Sequence, residues 1–91
     1  MKKRLSNKNA VIFGGAGRIG KMTTLAYLEN GANVFIIDNN EKRIEELIGE
    51  IQPEYRNNFF YYCKSVNFIG DAKEITETVL KSFKKIDILV N

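Results

Sequence analysis

Apolar residues follow two rhythms along this chain. In four stretches they run together: Ala10-Val11-Ile12-Phe13, Val34-Phe35-Ile36-Ile37, Phe59 through Val66, and Ile86 through Val90, the last two with polar interruptions. Between these runs they return every three or four positions. A short run bounded by turn residues fits a strand covered on both faces, and the three-to-four spacing fits a helix with one buried stripe.

This pattern predicts a strand over Asn9–Phe13 that ends in a glycine turn. A helix starts near Arg18, with Ile19, Met22, Leu25, Ala26 and Leu28 as its apolar positions and Gly31 as the glycine that ends it. Asn33–Ile37 is a second strand, stopped by the turn residues Asp38-Asn39-Asn40. Glu41 opens a second helix, in which Ile44, Leu47, Ile48 and Ile51 form the stripe, and Pro53 closes it. A polar connection through Asn57 and Asn58 leads to a third strand over Phe59–Val66. Asp71 and Glu74 have the spacing of a helix-start signal, and Ala72, Ile75, Val79 and Phe83 carry a third helix onward. Ile86–Val90 is the fourth strand. The order βαβαβαβ predicts the α/β class: a doubly wound parallel sheet with helices on both faces and strand order 3-2-1-4. Tyr61 and Tyr62 then belong to the core or a sheet face.

Composition narrows the picture only slightly. The chain has 91 residues, 44% hydrophobic and 27% charged, which suits one small globular domain. The net charge of +3 is concentrated in Lys2, Lys3 and Arg4. That run is too short to indicate a nucleic-acid surface, and residues 1–8 read as a basic, solvated lead-in. Cys63 is the only cysteine, so no internal disulfide can form, and without a signal-peptide pattern the expected compartment is cytoplasmic. There is no histidine, which excludes His-based triads and His metal sites. No apolar run reaches the ~18–20 residues of a membrane span.

The chemistry sits in Gly14-Gly15-Ala16-Gly17-Arg18-Ile19-Gly20, which follows a strand and opens a helix. Gly15, Gly17 and Gly20 fit G-x-G-x-x-G, while Gly14, Gly17 and Gly20 fit G-x-x-G-x-x-G. Either register places backbone N–H groups and a partly positive helix end where a pyrophosphate can lie. Glycine permits the tight turn, the close approach of phosphates and the packing of helix on strand. Asp38 stands at the end of the second strand, about 20 residues on, where a carboxylate accepts hydrogen bonds from ribose hydroxyls. It would repel a 2′-phosphate, so NAD is the expected cofactor and NADP the lesser one. Asp38 could instead cap the helix that starts at Glu41, and Arg18 could reach a 2′-phosphate.

Three motifs in order resemble the short-chain dehydrogenase/reductase family: Asn9 through Gly20, then Asn30-Gly31-Ala32-Asn33-Val34 with Asp38, then Lys85-Ile86-Asp87-Ile88-Leu89-Val90-Asn91. The resemblance implies an NAD(P)-binding Rossmann domain over residues 9–91, of which this is the N-terminal half, ending after the fourth strand. It implies that Asn91 begins the family's Asn-Asn-Ala-Gly loop. It also places Ser65 and Val66 where the family contacts adenine. Two departures stand out. Phe13 replaces the usual threonine before the first glycine, and Ser65 replaces an aspartate.

The resemblance further implies hydride transfer between nicotinamide and an alcohol or carbonyl, with a tyrosine as proton donor and a lysine four residues later. Four residues after Tyr27, Tyr55, Tyr61 and Tyr62 stand Gly31, Phe59, Ser65 and Val66, so no such pair exists here. The expectation is a dinucleotide-binding part without catalytic residues, inactive alone. In a full-length form it would act on a small-molecule substrate, as a homo-oligomer. The G-x-x-G-x-x-G register also suits a nucleotide-sugar epimerase or dehydratase of the extended branch. A noncatalytic NAD-binding module or a truncated gene product would share the same residues.

Overall fold

The structure is a computed structural model that describes residues 3–91. Its elements are β1 (Asn9–Phe13), α1 (Arg18–Glu29), β2 (Asn33–Asp38), α2 (Glu41–Glu50), a 3-10 helix (Pro53–Asn58), β3 (Phe59–Cys63), α3 (Phe68–Leu80) and β4 (Ile88–Val90). The four strands form one parallel sheet in the order β3-β2-β1-β4. The doubly wound α/β architecture expected from the sequence is therefore the one observed.

Two apolar layers flank the sheet, and strand alternation assigns residues to them. Ile12, Val34 and Ile36 face Leu28 of α1 and Ile44 and Leu47 of α2. Val11, Phe35 and Ile37 face Ile75 and Val79 of α3, with Phe83. Successive strand residues point to opposite faces, so each unbroken run feeds both layers at once. Rings of Phe35, Phe60 and Phe83 meet at centroid separations of 5.5 to 6.3 Å in the second layer. Burying one such large side chain contributes roughly 1.5–3 kcal/mol.

Several boundaries differ from the sequence reading. β3 stops at Cys63 rather than Val66, because its partner β2 ends at Asp38, directly opposite Cys63. The helix α3 starts at Phe68, three residues before Asp71. Asp71 reaches back to accept a hydrogen bond from the Asn67 amide at 2.8 Å, so it supports the helix start without being its first residue. Phe83 lies past the end of α3, in a turn whose amide still bonds the Val79 carbonyl at 2.9 Å. Pro53 closes α2 but also opens a 3-10 helix, where a plain polar connection was expected. β4 is only three residues long, and Ile86 lies outside it.

The apolar spacing of α1 also misled. Ile19 and Met22 are 79% and 68% exposed, whereas Thr24 and Leu28 are the buried residues of the helix. Tyr61 is exposed on the sheet face, beside Phe59, and Tyr62 is half-buried.

Over its described part the lead-in is exposed except at Leu5, as expected, but it is tied to the fold by hydrogen bonds; Lys2 lies outside the described residues. The Leu5 amide donates to the Asn30 carbonyl at 2.8 Å, and the Lys8 carbonyl accepts from the Asn33 amide at 2.8 Å. Lys3 lies 4.6 Å from the centre of the Tyr55 ring. Gly31, in the left-handed region at φ 92°, makes room for this segment, since a Cβ there would press on Ser6 and Lys3.

At the opposite rim from the glycine loop, three asparagines form a polar chain. Asn33 donates to the Asn9 side chain and Asn58 donates to the Asn33 side chain, each at 3.0 Å. Asn9 in turn donates to the Lys85 carbonyl at 3.0 Å, and the Asp87 carboxylate accepts from the Asn9 amide at 2.8 Å. This chain ties the starts of β1, β2 and β3 to the segment entering β4.

Candidate functional site

In a parallel sheet all strands end at one rim, and the helices that follow begin there. At that rim the loop from β1 to α1 folds tightly. Gly14 adopts φ 72°, a left-handed conformation, and its amide donates to the Ile37 carbonyl at 2.7 Å. A Cβ on Gly15 would run into the Ile36 side chain beneath it. A Cβ on Gly20 would run into the Gly14 backbone, so helix and loop meet at main-chain contact. Gly14 therefore makes the turn, Gly15 seats the loop on β2, and Gly20 closes α1 against the loop. Thr24 adds a brace, its hydroxyl donating to the Gly15 carbonyl at 3.2 Å.

Gly17 caps α1 with extended backbone and no side-chain hydrogen bond, and the first turn of α1 contains no acid. The amides of Arg18, Ile19 and Gly20 have no carbonyl one turn before them, and they stand at the positive end of the helix. The helix α2 is satisfied internally, because the Asn40 side chain accepts from the Arg43 amide at 3.0 Å. That bond corrects the alternative assignment of Asp38, since Asn40 caps α2.

Asp38 is the last residue of β2 and is 7% exposed. One carboxylate oxygen accepts from the Ala16 amide and the other from the Asn40 amide, both at 3.0 Å. The side chain thus clamps the glycine loop to the turn entering α2. Each oxygen retains a second lone pair for a further donor.

Two depressions flank the loop. One, of about 400 Å³, is lined by Asp38, Asn39, Arg43, Lys64 and Val66 together with Gly14 and Gly17. The other, of about 450 Å³, is lined by Arg18, Ile19, Gly20, Thr23, Val90 and Asn91, again with Gly14 and Gly17. Phe13 lines both. The two clefts therefore gather eight of the ten residues singled out in the sequence, with Gly15 buried beneath them. Ser65 is exposed and does not line the cleft beside Val66.

Sequence reading passed over Phe13 as a wall residue, and over Thr24, Arg43 and Lys64. Arg43 had one available signal, its place in the first turn of the helix that follows Asp38. Lys64 belongs to a charged cluster behind the first cleft. Its ammonium lies 3.1 Å from Glu74 and 3.7 Å from Asp71, and the Tyr62 hydroxyl donates to Glu74 at 2.5 Å. The hydrogen bond from Tyr62, then that from Lys64, holds the Glu74 carboxyl below its usual range. The bond to Glu74 raises both the Tyr62 hydroxyl and the Lys64 ammonium. Among the described residues no His, Cys, Asp and Glu cluster could hold a metal ion, and no helix is long and apolar enough to cross a membrane.

A parallel sheet of order 3-2-1-4, with a glycine turn running from its first strand into a helix, defines a Rossmann-type α/β protein. The short chain dehydrogenase family profile matches residues 8–91. The chain belongs to that family.

Its relatives include the short chain dehydrogenase/reductase dpfgG of Gibberella zeae, 32% identical over 87 residues that cover 96% of this chain and 32% of the relative. The 3-oxoacyl-[acyl-carrier-protein] reductase FabG of Thermotoga maritima is 32% identical, with coverage of 97% and 35%. Among solved structures, the 3-ketoacyl-(acyl-carrier-protein) reductase of Brucella melitensis complexed with NADH superposes with a TM-score of 0.77 at 27% identity, covering 93% of this chain and 34% of that one. The chain thus spans about a third of the length of these relatives.

Proposed function

We propose that this chain is the part of a short-chain-dehydrogenase oxidoreductase that holds the adenosine and pyrophosphate of NAD. The observation that carries the reading is the start of α1: glycine-capped, free of acids, and set between two clefts that share Gly14 and Gly17. A pyrophosphate there would receive the first amides of α1. Asp38 would take the ribose hydroxyls on its remaining lone pairs, with Val66 beside the adenine and Ser65 near it. Ile19, Val90 and Asn91 would border the nicotinamide side.

NAD supplies a hydride acceptor, and the exchange with an alcohol or carbonyl belongs to the whole enzyme. Within these 91 residues no Tyr-x-x-x-Lys pair is present, so the proposed role here is binding and orientation. The relative named as an NADH complex supports a nicotinamide cofactor, and the negative charge of Asp38 supports NAD over NADP.

Isothermal titration of the chain with NADH tests this. Binding is expected, with loss on Gly17→Val, which fills the approach to the loop, while the circular dichroism spectrum stays unchanged. Asp38→Asn is expected to lower the preference for NAD over NADP by about tenfold, the value of one charge-assisted contact. Absence of NADH binding by the folded chain overturns the reading. Oxidation of NADH with a carbonyl substrate by this chain alone would overturn the restriction to binding.

A further inference from the structure

We propose that the outer edge of β3 is a docking site for an acidic, extended segment of a partner protein, which adds to the sheet as a further strand. The site is separate from the glycine loop and does not rest on the dinucleotide reading.

β3 lies at the end of the sheet and pairs only with β2 among the described residues. In a parallel strand the N–H and C=O of one residue point to one side, and those of the next residue to the other. The Lys64 amide donates inward, to the Asp38 carbonyl at 2.8 Å. Phe60 and Tyr62 share that direction, so Phe59, Tyr61 and Cys63 turn their main-chain groups outward. The Phe59 amide is taken by the Arg56 carbonyl. The Tyr61 and Cys63 amides have no partner among the described residues. The strand from Phe59 to Cys63 also contains no charge, proline or glycine, the usual devices that blunt an edge.

The surroundings of this edge select the occupant. On the α3 side a groove of about 410 Å³ runs between β3 and the end of α3, with Phe60 facing Thr78, Lys81 and Ser82. At Phe60 and Ser82 it meets a second depression that brings in Lys84 and Lys85. No acid lines either one. Lys85 is paired with Asp87 at 3.5 Å, whereas the ammonium groups of Lys81 and Lys84 form no ion pair among the described residues. On the other face Tyr61 is exposed, its ring 6.1 Å from that of Phe59. Side chains of an added strand alternate between these faces. The fitting segment therefore carries carboxylates at one parity, toward Lys81 and Lys84, and apolar side chains at the other, beside Tyr61. A second copy of this chain fits less well, because it brings the same lysines and a net charge of +3 to the same edge.

The probe is a fluorescent peptide of about eight residues in which glutamate and valine alternate, titrated into the whole chain and followed by anisotropy. Saturable binding is expected, weakening as salt is added. A peptide with lysine in place of glutamate should not bind. Lys81→Glu combined with Lys84→Glu should weaken binding about tenfold or more, as reversal of complementary charges does. Both side chains are exposed, so the circular dichroism spectrum should not change. Hydrogen exchange read by NMR tests the strand geometry. In the saturated complex the Tyr61 and Cys63 amides should become protected, while those of Phe60 and Tyr62 are protected already in the free chain. Tyr61→Pro removes an outward donor without removing a bond to β2, and should abolish binding with the fold retained. The proposal is overturned if the folded chain shows no saturable binding up to about 1 mM peptide, or if the lysine peptide binds equally well. Unprotected Tyr61 and Cys63 amides in the saturated complex also overturn it. Protection of those amides that rises with chain concentration alone would make a second copy the occupant, and overturns it as well.

Discussion

Gly20 and Gly49 both lie in helices, yet their surroundings assign them opposite consequences. A Cβ on Gly20 meets the Gly14 backbone, which cannot rotate away, whereas one on Gly49 meets nothing. Gly20→Ala is therefore expected to destabilise the fold by about 1–3 kcal/mol and to displace the loop, read by urea denaturation and by loss of NADH binding. Gly49→Ala is expected to stabilise by about 0.5–1 kcal/mol, because alanine restricts the unfolded chain and favours helix. The glycine loop and Asp38 were legible in the sequence because their signal is local: spacing, a preceding strand and a following helix. Thr24, Lys64 and the wall role of Phe13 were not, because each depends on what a distant segment brings opposite it. The exposed position of Ser65, outside the cleft that Val66 lines, was hidden for the same reason, since where β3 ends is set by the length of β2.

At the level of elements, strand and helix order was legible throughout, and the errors fell at ends. The apolar run from Phe59 to Val66 has strand composition, but ladder bonds require a partner, and β2 offers none past Asp38. In α1, spacing alone could not tell which of its apolar positions meet the sheet, and Ile19 and Met22 lie outward. Two carboxyls tie elements together and carry pH dependence. Asp87 is held below its usual value of 3.8, chiefly by the hydrogen bond from the Asn9 amide, and it fastens the entry to β4 onto β1. A carboxyl whose folded value is depressed stabilises above its unfolded value and loses that contribution as pH falls through the folded one. Asp87→Asn should therefore flatten the loss of thermal stability below about pH 4, measured by circular dichroism melts. Glu74 behaves alike below 4.5, its unperturbed value. Its partners Lys64 and Tyr62 are raised, so their share is present below their unfolded values near 10 and is lost as pH rises beyond them. The β3–α3 junction should thus be most stable between about pH 5 and 9.

Across the whole molecule the two outer strands differ. β3 is five residues long and flanked by α3 and the 3-10 helix, while β4 is short and leaves Leu89 63% exposed. Ile86, Met22 and Ile19 add further apolar surface. An uncovered strand edge with apolar side chains invites pairing between molecules. The chain is expected to self-associate as its concentration rises, and Leu89→Lys should shift sedimentation toward monomer while changing stability by no more than about 0.5 kcal/mol. The asparagine chain from Asn58 through Asn33 to Asn9 lies at the other end of the sheet from the glycine loop. A strand shifted by one position would turn its asparagine away and break these bonds, so the chain fixes strand register independently of the core. It also makes the molecule uneven in its motion. Amide hydrogens near Asn9 and Asn33 should exchange with solvent slowly, and those of Ser65 and Val66, which belong to no strand or helix, should exchange quickly. With the sheet pinned at that end like a fan at its handle, any opening is expected to begin from the side that faces the loop.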